Sequence, residues 1–142
     1  MKFYNRLLLN LVFISTTTHA AVISETLCYR ALPKNKNKSA IKLTIKKYYD
    51  EELGQQVGAI VRYNTSKETI PLSVIEDAID DENNDYEIHW LEVINKKVTG
   101  EYVFMKPKGA TVLGAYIIYK NQRLGKELAF SPSGETGNEC VM

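Results

Sequence analysis

The sequence predicts an all-β protein: an antiparallel β-barrel or a strongly bent sandwich of about eight short strands, with one short helix. Three observations support this fold class. Apolar and polar residues alternate with a period of two in several segments, and turns of hairpin length separate those segments. The chain has 142 residues, of which the first 20 form a predicted leader. The remainder is long enough for one domain and too short for two of ordinary size.

The leader, Met1–Ala20, is predicted to be a signal peptide that is cleaved after export. Lys2 and Arg6 supply a basic start, Leu7–Ser15 is a short apolar run, and a small-x-small pattern precedes the cleavage site. Neither this run nor any later one reaches the roughly 20 apolar residues that a transmembrane helix needs. We therefore expect a periplasmic or secreted protein without a membrane span, in which residues 21–142 form a single domain.

The first half of this domain contains four predicted strands. The clearest is the second, in which Ile41, Leu43 and Ile45 alternate with polar residues and so place one face on a core. Gly58, inside the third, marks a bulge or a close approach of two backbones. The four strands are Thr26–Ala31, Ala40–Tyr49, Gln55–Tyr63 and Lys67–Leu72.

A short helix is predicted to follow at Val74–Asp80. Ser73-Val74-Ile75-Glu76 matches the capping-box pattern, in which Ser and Glu side chains bind free amides at a helix start.

Four more strands are predicted in the second half. The first two, Tyr86–Ile94 and Lys97–Met105, form a hairpin around the tight Asn95-Lys96 turn. Ala110–Tyr119 is apolar on both faces, so we expect it to be the most buried element or to meet the helix or a partner. The last strand and the loop after it are Lys126–Phe130 and Ser131–Glu139.

The two cysteines, Cys28 and Cys140, are predicted to form a disulfide that ties the chain ends together, because export places them in an oxidising compartment. The alternative is a lipid anchor on Cys28. It is disfavoured because Ser24–Leu27 lacks the small residues usual before a lipidated cysteine.

Charge and composition exclude several functions. Loss of Lys2 and Arg6 with the leader leaves 16 basic and 17 acidic residues, so the mature chain has no basic field for nucleic acid. His89 is the one histidine beyond the leader, and Glu87, Glu76 or Asp77 could orient it for acid–base chemistry. No nucleophile motif or second histidine completes a catalytic or metal-binding set. We expect a protein that is not an enzyme and needs no cofactor.

A weak calcium candidate comprises the oxygen donors Asp81, Asn83, Asp85 and Glu92, spaced as in a helix-loop-helix calcium loop. Tyr86 stands where that loop requires glycine. A solvated acidic turn is the favoured interpretation.

Two features suggest an interaction surface. Eight tyrosines follow the leader, and tyrosine is common where surfaces bind partners. Most of them are expected in the core. The candidate contact residues are Tyr102, Tyr116 and Tyr119. The second feature is the predicted loop that Cys140 would tether. Its candidate contact residues are Ser133, Gly134 and Glu135.

Ser133-Gly134 and the overall plan of a small exported disulfide-tied barrel resemble the bacterial periplasmic inhibitors of C-type lysozyme, whose inhibitory loop carries S-G-x-x-Y. Gly137 stands at the position of that tyrosine, so no residue role is carried over. Thr99-Gly100-Glu101-Tyr102 is similar to a TG-x-Y hairpin of avidin-like barrels over these four residues only.

These observations predict an exported, non-catalytic binding protein that engages another protein, such as an inhibitor of, or immunity protein against, a cell-wall hydrolase or toxin. The alternative is a carrier that holds a small ligand in a barrel cavity. A carrier needs a hollow interior, whereas an inhibitor can have a packed centre and an exposed apolar rim. The oligomeric state is left open.

Overall fold

The computed structural model describes residues 21–32, 39–80 and 85–136, which form a closed antiparallel barrel of eight strands in sequential order. Each strand pairs with its neighbours along the chain, and β8 pairs with β1 to close the barrel. The all-β fold class, the barrel and the number of strands are confirmed, and closure excludes the open sandwich. The strands are β1 Val22–Ala31, β2 Ile41–Asp50, β3 Gln55–Tyr63, β4 Ile70–Asp80, β5 Asp85–Ile94, β6 Lys97–Lys106, β7 Tyr116–Asn121 and β8 Lys126–Thr136.

The barrel interior is a packed core. Alternate residues of each strand point inward, as the period-two pattern predicted. Two polar atoms of this core, the Tyr29 hydroxyl and the Trp90 indole nitrogen, have no hydrogen-bond partner within the described part of the chain. The largest side chains that are less than 2% exposed are Trp90, Tyr29, Tyr102, Phe130, Leu43, Ile45, Ile88, Ile117 and Val61.

The predicted helix at Val74–Asp80 is wrong, because these residues belong to β4. β4 pairs with β5 from Leu72↔Glu92 to Asp80↔Asp85, with a register shift between Val74 and Glu76. The capping-box pattern is a local signal, whereas β-branched Val74 and Ile75 fit a strand and the pairing with β5 satisfies the backbone of β4 on either side of the shift. The shift leaves Ile75 exposed and turns Asp77 to the inner face, opposite Ile88.

The predicted loop at Ser131–Glu139 is wrong as far as Thr136, where β8 ends; residues 137–139 lie outside the described residues. β8 pairs with β1 at Arg30↔Ser131, Tyr29↔Pro132 and Leu27↔Thr136, so three residues of β8 lie opposite Cys28 alone. Gly134 adopts a φ of +80° in this bulge, a conformation that glycine accommodates at little cost.

The apolar segment Ala110–Tyr119 is not the most buried element, and only its end belongs to β7. Val112–Gly114 forms a 3-10 turn, in which Leu113 is 63% exposed. A Cβ at Gly114 would lie 2.8 Å from the Cβ of Ala110, which shows how tightly the chain folds back there. Within the described ranges, no helix is long and apolar enough to cross a bilayer.

Candidate functional site

The two ends of the barrel differ in their chemistry, and each contains candidate functional residues. We call residues Val93–Val98, the turn of the β5–β6 hairpin with its flanks, the hairpin tip. We call the opposite end, lined by Glu25, Lys47, Tyr49 and Gln56, the mouth.

The hairpin tip exposes three β-branched side chains around a tight turn. Val93, Ile94 and Val98 are 41%, 42% and 47% exposed. Asn95 and Lys96 have φ values of 51° and 62°, so both central residues of the two-residue turn adopt the left-handed conformation that suits a tight hairpin. The tip therefore combines an apolar surface with a defined backbone shape.

A buried carboxylate anchors the base of this hairpin. Glu92 is 5% exposed and points into the barrel, where Thr99 donates to its Oε1 at 2.6 Å and Tyr102 donates to its Oε2 at 3.1 Å. Thr99 reaches Glu92 because the register shifts from Glu92↔Gly100 to Val93↔Val98, which leaves Thr99 as an extra residue in β6. Charge-assisted bonds of this kind are the stronger hydrogen bonds of proteins.

Two further tyrosines extend the cluster across the barrel. Tyr119 donates to Glu92 Oε1 at 3.4 Å, and the Tyr63 and Tyr102 hydroxyls share a hydrogen bond of 2.6 Å. Because Tyr102 donates its own proton to Glu92, Tyr63 is the donor to Tyr102. Burial is the main factor that raises the pKa of Tyr102, Tyr63 and Tyr119 above the usual value, so all three hydroxyls keep their protons and act as donors.

Gly100 makes room for this arrangement. The ring of Tyr119 lies across Gly100, and a Cβ at that position would lie 2.4 Å from Tyr119 Cε2. The rings of Tyr102 and Tyr119 pack with centroids 4.6 Å apart. Glu92, Thr99, Tyr63, Tyr102 and Tyr119 are called the glutamate–tyrosine cluster below.

The mouth also contains an inward-facing charge, but this charge is less completely enclosed. Lys47 is 8% exposed, its Nζ lies 2.9 Å from Glu25 Oε2, and it stands 4.5 Å from the ring centroid of Phe104 on the far wall. The Glu25 side chain is 49% exposed. A cation over an aromatic face is stabilised by the ring quadrupole.

A second group of polar residues continues around the mouth. Asp77 Oδ2 accepts a hydrogen bond from the Gln56 backbone amide at 3.3 Å. Burial raises the pKa of Tyr86, and a hydrogen bond with Asp77 and its charge add to this effect, whereas a hydrogen bond with Gln56 lowers it. Asp77, Gln56 and Tyr86 therefore interact, although they come from three different strands.

The described residues line two cavities at this end. One of about 230 Å³ is lined by residues of β1, β2 and β3, including Glu25, Lys47 and Gln56. A more open one of about 370 Å³ lies beside Tyr86 and the Lys106–Ala110 turn.

His89 lies on the outer wall of the barrel. Its Nδ1 is 2.7 Å from Glu101 Oε1 and its Nε2 is 3.2 Å from Glu87 Oε2. Burial lowers the pKa of His89, but its hydrogen bonds with Glu101 and Glu87 and the charges of Glu101 and Glu76 outweigh burial and raise the pKa above its usual value. Asp77, named as a possible partner, pairs with Ile88 on the other side of the sheet from His89 and is exposed at the mouth. His89 and its two carboxylate partners form an ion-pair network on the wall.

The structure does not bring the predicted calcium ligands together. Asp85 and Glu92 stand at opposite ends of β5, and seven strand residues at about 3.3 Å each separate them by more than 20 Å. Glu92 is held by hydroxyl donors inside the barrel, and Asp85 accepts a bond from the Lys108 amide. Asp81 and Asn83 lie outside the described residues. Among the residues that are described, no three carboxylate, histidine or cysteine side chains converge as a metal site.

The three tyrosines named as contact candidates, Tyr102, Tyr116 and Tyr119, lie in different surroundings in the structure. Tyr102 is fully buried and presents no contact surface, whereas Tyr119 lies over Gly100 and is partly exposed. Both belong to the glutamate–tyrosine cluster. Tyr116 begins β7 and is partly exposed near the mouth.

The Ser133–Glu135 segment is part of a strand. Ser133 donates to the Cys28 carbonyl at 3.3 Å, and Gly134 is exposed in the bulge. Cys28 is 7% exposed, whereas Cys140 and the signal peptide lie outside the described residues, so the disulfide and the cleavage stay predictions.

Sequence reasoning missed Lys47 and the role of Glu92, although the sequence contains a signal for both. Lys47 continues the inward alternation of Leu43 and Ile45, and Glu92 continues that of Ile88 and Trp90. A charged residue at an inward position near a strand end is therefore a candidate for a buried polar cluster. Comparison with protein-family models, curated proteins and solved structures finds no match to this chain.

Proposed function

We propose that this protein is an exported, non-catalytic binding protein that engages a protein partner through the hairpin tip, and that the partner is a cell-wall hydrolase or toxin. The observation that supports this proposal is the exposed apolar tip, whose base is held by the buried Glu92 carboxylate. Export itself rests on the leader sequence.

The packed interior favours a protein partner over a ligand carried inside the barrel. Eight-stranded barrels either fill their interior with side chains or enclose one small ligand. Here Trp90, Tyr29, Tyr102 and Phe130 come from four different strands and are almost completely buried, so large side chains occupy the centre. The carrier remains the alternative, and the mouth cavity is the observation that bears on it.

The hairpin tip has the properties of a binding element. Its exposed Val93, Ile94 and Val98 side chains offer apolar area that a partner can bury. Because the turn and its anchored base already fix the backbone, binding would cost little ordering entropy.

The charge of the tip is basic, which suits the favoured class of partner. Lys96 and Lys97 are exposed beside the apolar residues. Enzymes that cleave glycosidic bonds mostly carry two carboxylates in their cleft. A hairpin with a lysine at its turn is complementary in charge to such a cleft.

Inhibition assays against a panel of purified peptidoglycan hydrolases test this proposal. We expect the mature protein to inhibit at least one of them, and Ile94→Ser to weaken the inhibition about tenfold or more, since a buried aliphatic anchor contributes more than 1.4 kcal/mol. Ile75→Ser is the matched control, because Ile75 is 54% exposed on the barrel wall away from the tip. The absence of inhibition across the panel would rule out a peptidoglycan hydrolase as the partner. Equal effects of both substitutions would rule out the hairpin tip as the binding surface.

A further inference from the structure

The smaller cavity at the mouth has the features of a ligand site, and nothing in the proposed role of the hairpin tip uses it. It measures about 230 Å³, room for about seven water molecules at roughly 30 Å³ each. This is below the roughly 300–1,000 Å³ of sites for drug-sized ligands, so any ligand must be small. The lining residues are Ile23, Ser24, Glu25, Lys47, Tyr49 and Gln56.

The charges of the lining cancel. Lys47 Nζ and Glu25 Oε2 are 2.9 Å apart, and these are the two ionisable side chains of opposite charge among the lining residues. An ion would lose its hydration without meeting a net opposite charge, and a zwitterion would have to compete with the 2.9 Å Lys47–Glu25 contact for both of its partners, so both are disfavoured. A neutral ligand that can both donate and accept hydrogen bonds fits an ammonium beside a carboxylate.

Gln56 supplies an unused acceptor. Its side-chain Oε1 is buried and has no hydrogen-bond partner among the described residues, although its backbone amide is bonded to Asp77. A buried acceptor without a donor costs about 1–3 kcal/mol. Because this oxygen has no accessible surface, a ligand hydroxyl or amide N–H reaches it when the Gln56 side chain turns toward the cavity, and that contact would remove the cost.

Tyr49 adds an aromatic surface to these polar groups. It is partly buried, and the ring can pack against the C–H face of a small ring molecule while the polar groups bind its edge. We propose that the mouth cavity binds a neutral, hydroxyl-rich ligand of about the size of one sugar ring, either as a free saccharide or as the terminal residue of a glycan.

The experiment is a ¹H–¹⁵N NMR titration of the mature protein with three probes: glucose, N-acetylglucosamine, and alanine as a small zwitterion. We expect one or both saccharides to shift the amide signals of Glu25, Lys47 and Gln56 in a saturable manner, and alanine to leave them unchanged. A short oligomer of N-acetylglucosamine then distinguishes a glycan terminus from a free monosaccharide by its tighter binding.

Two variants test the site itself. Gln56→Leu keeps the approximate size of the side chain and removes the acceptor, so we expect saccharide affinity to fall about tenfold. Gln55→Leu is the matched control, because the adjacent Gln55 is exposed and does not line the cavity. If Gln56→Leu loses its folded spectrum, Tyr49→Leu replaces it as the test, with the same expected loss.

Three outcomes would overturn the proposal: no saturable shift with either saccharide, shifts at these residues with alanine that equal or exceed those with the saccharides, or unchanged affinity in the folded cavity variant. Because the hydrolase assay uses the opposite end of the barrel, its failure leaves this test unaffected, and the reverse also holds.

Discussion

The two ends of this barrel accommodate a buried charge in different ways. Each buries a charged side chain near the end of a strand: Glu92 beneath the hairpin tip and Lys47 at the mouth. Glu92 accepts bonds from three hydroxyl donors, whereas Lys47 has one half-exposed carboxylate partner and borders a cavity. The difference teaches that a fully satisfied charge makes an end rigid, while a partly satisfied one leaves polar groups available for a ligand.

The largest expected effect is the loss of stability on removal of the Glu92 carboxylate, compared with removal of Glu25, the partner of Lys47. Glu92→Ala would leave the buried Tyr102 hydroxyl and the partly buried Thr99 and Tyr119 hydroxyls without their carboxylate acceptor, so we expect the free energy of unfolding to fall by about 2–4 kcal/mol. Glu25→Ala removes a half-exposed partner that water can replace, and we expect a loss of about 1 kcal/mol or less.

Urea denaturation of both variants provides the measurement. Equal losses would contradict the view that the two ends differ in how completely their charges are satisfied.

A second prediction concerns the packing that holds the glutamate–tyrosine cluster. Gly100→Ala places a methyl group against the ring of Tyr119, and we expect a destabilisation of about 1–3 kcal/mol. In a Tyr119→Ala background the same substitution should cost less, because the ring is no longer present. The double-mutant cycle, measured by thermal or urea unfolding, isolates this coupling. If the two changes are additive, the ring does not determine the requirement for glycine.

The smallest effect on stability is expected from the protonation of His89, on the barrel wall between the two ends. Because the pKa of His89 is raised in the folded protein, protonated His89 stabilises the fold below its usual pKa of about 6.5, and this stabilisation is lost as the pH rises through the folded-state pKa. The pair is partly exposed, so we expect less than about 1 kcal/mol. Unfolding measured between pH 6 and pH 9 should show this loss in the native protein and not in His89→Gln. An unchanged pH dependence in the variant would assign it to other groups.

The fold could be predicted from the sequence because its main signal is local. Alternation with a period of two and the Asn95-Lys96 turn gave the strands and the central hairpin directly. The capping-box pattern at Ser73–Glu76 was misleading, since the pairing of β4 with β5 is a non-local interaction that overrides a local preference. The bulge at Ser133–Glu135 was missed for the same reason.

The glutamate–tyrosine cluster could be predicted only in part. The inward position of Glu92 follows from the alternation of Ile88 and Trp90. Its partners do not, because Tyr63 reaches Tyr102 from a strand 39 residues away and Thr99 turns inward only through a bulge. Cross-barrel contacts depend on register, and register is determined by the whole sheet.

The most direct test of the account is a comparison of two valines at opposite ends of the barrel. Val98 at the hairpin tip and Val57 at the start of β3 are both 47% exposed, so Val98→Ser and Val57→Ser remove the same chemistry from matched environments. Titration calorimetry with a hydrolase that the native protein inhibits is predicted to show a loss of about tenfold in affinity for Val98→Ser and no loss for Val57→Ser. Unchanged affinity in Val98→Ser, or an equal loss in both variants, would contradict the assignment of partner binding to the hairpin tip.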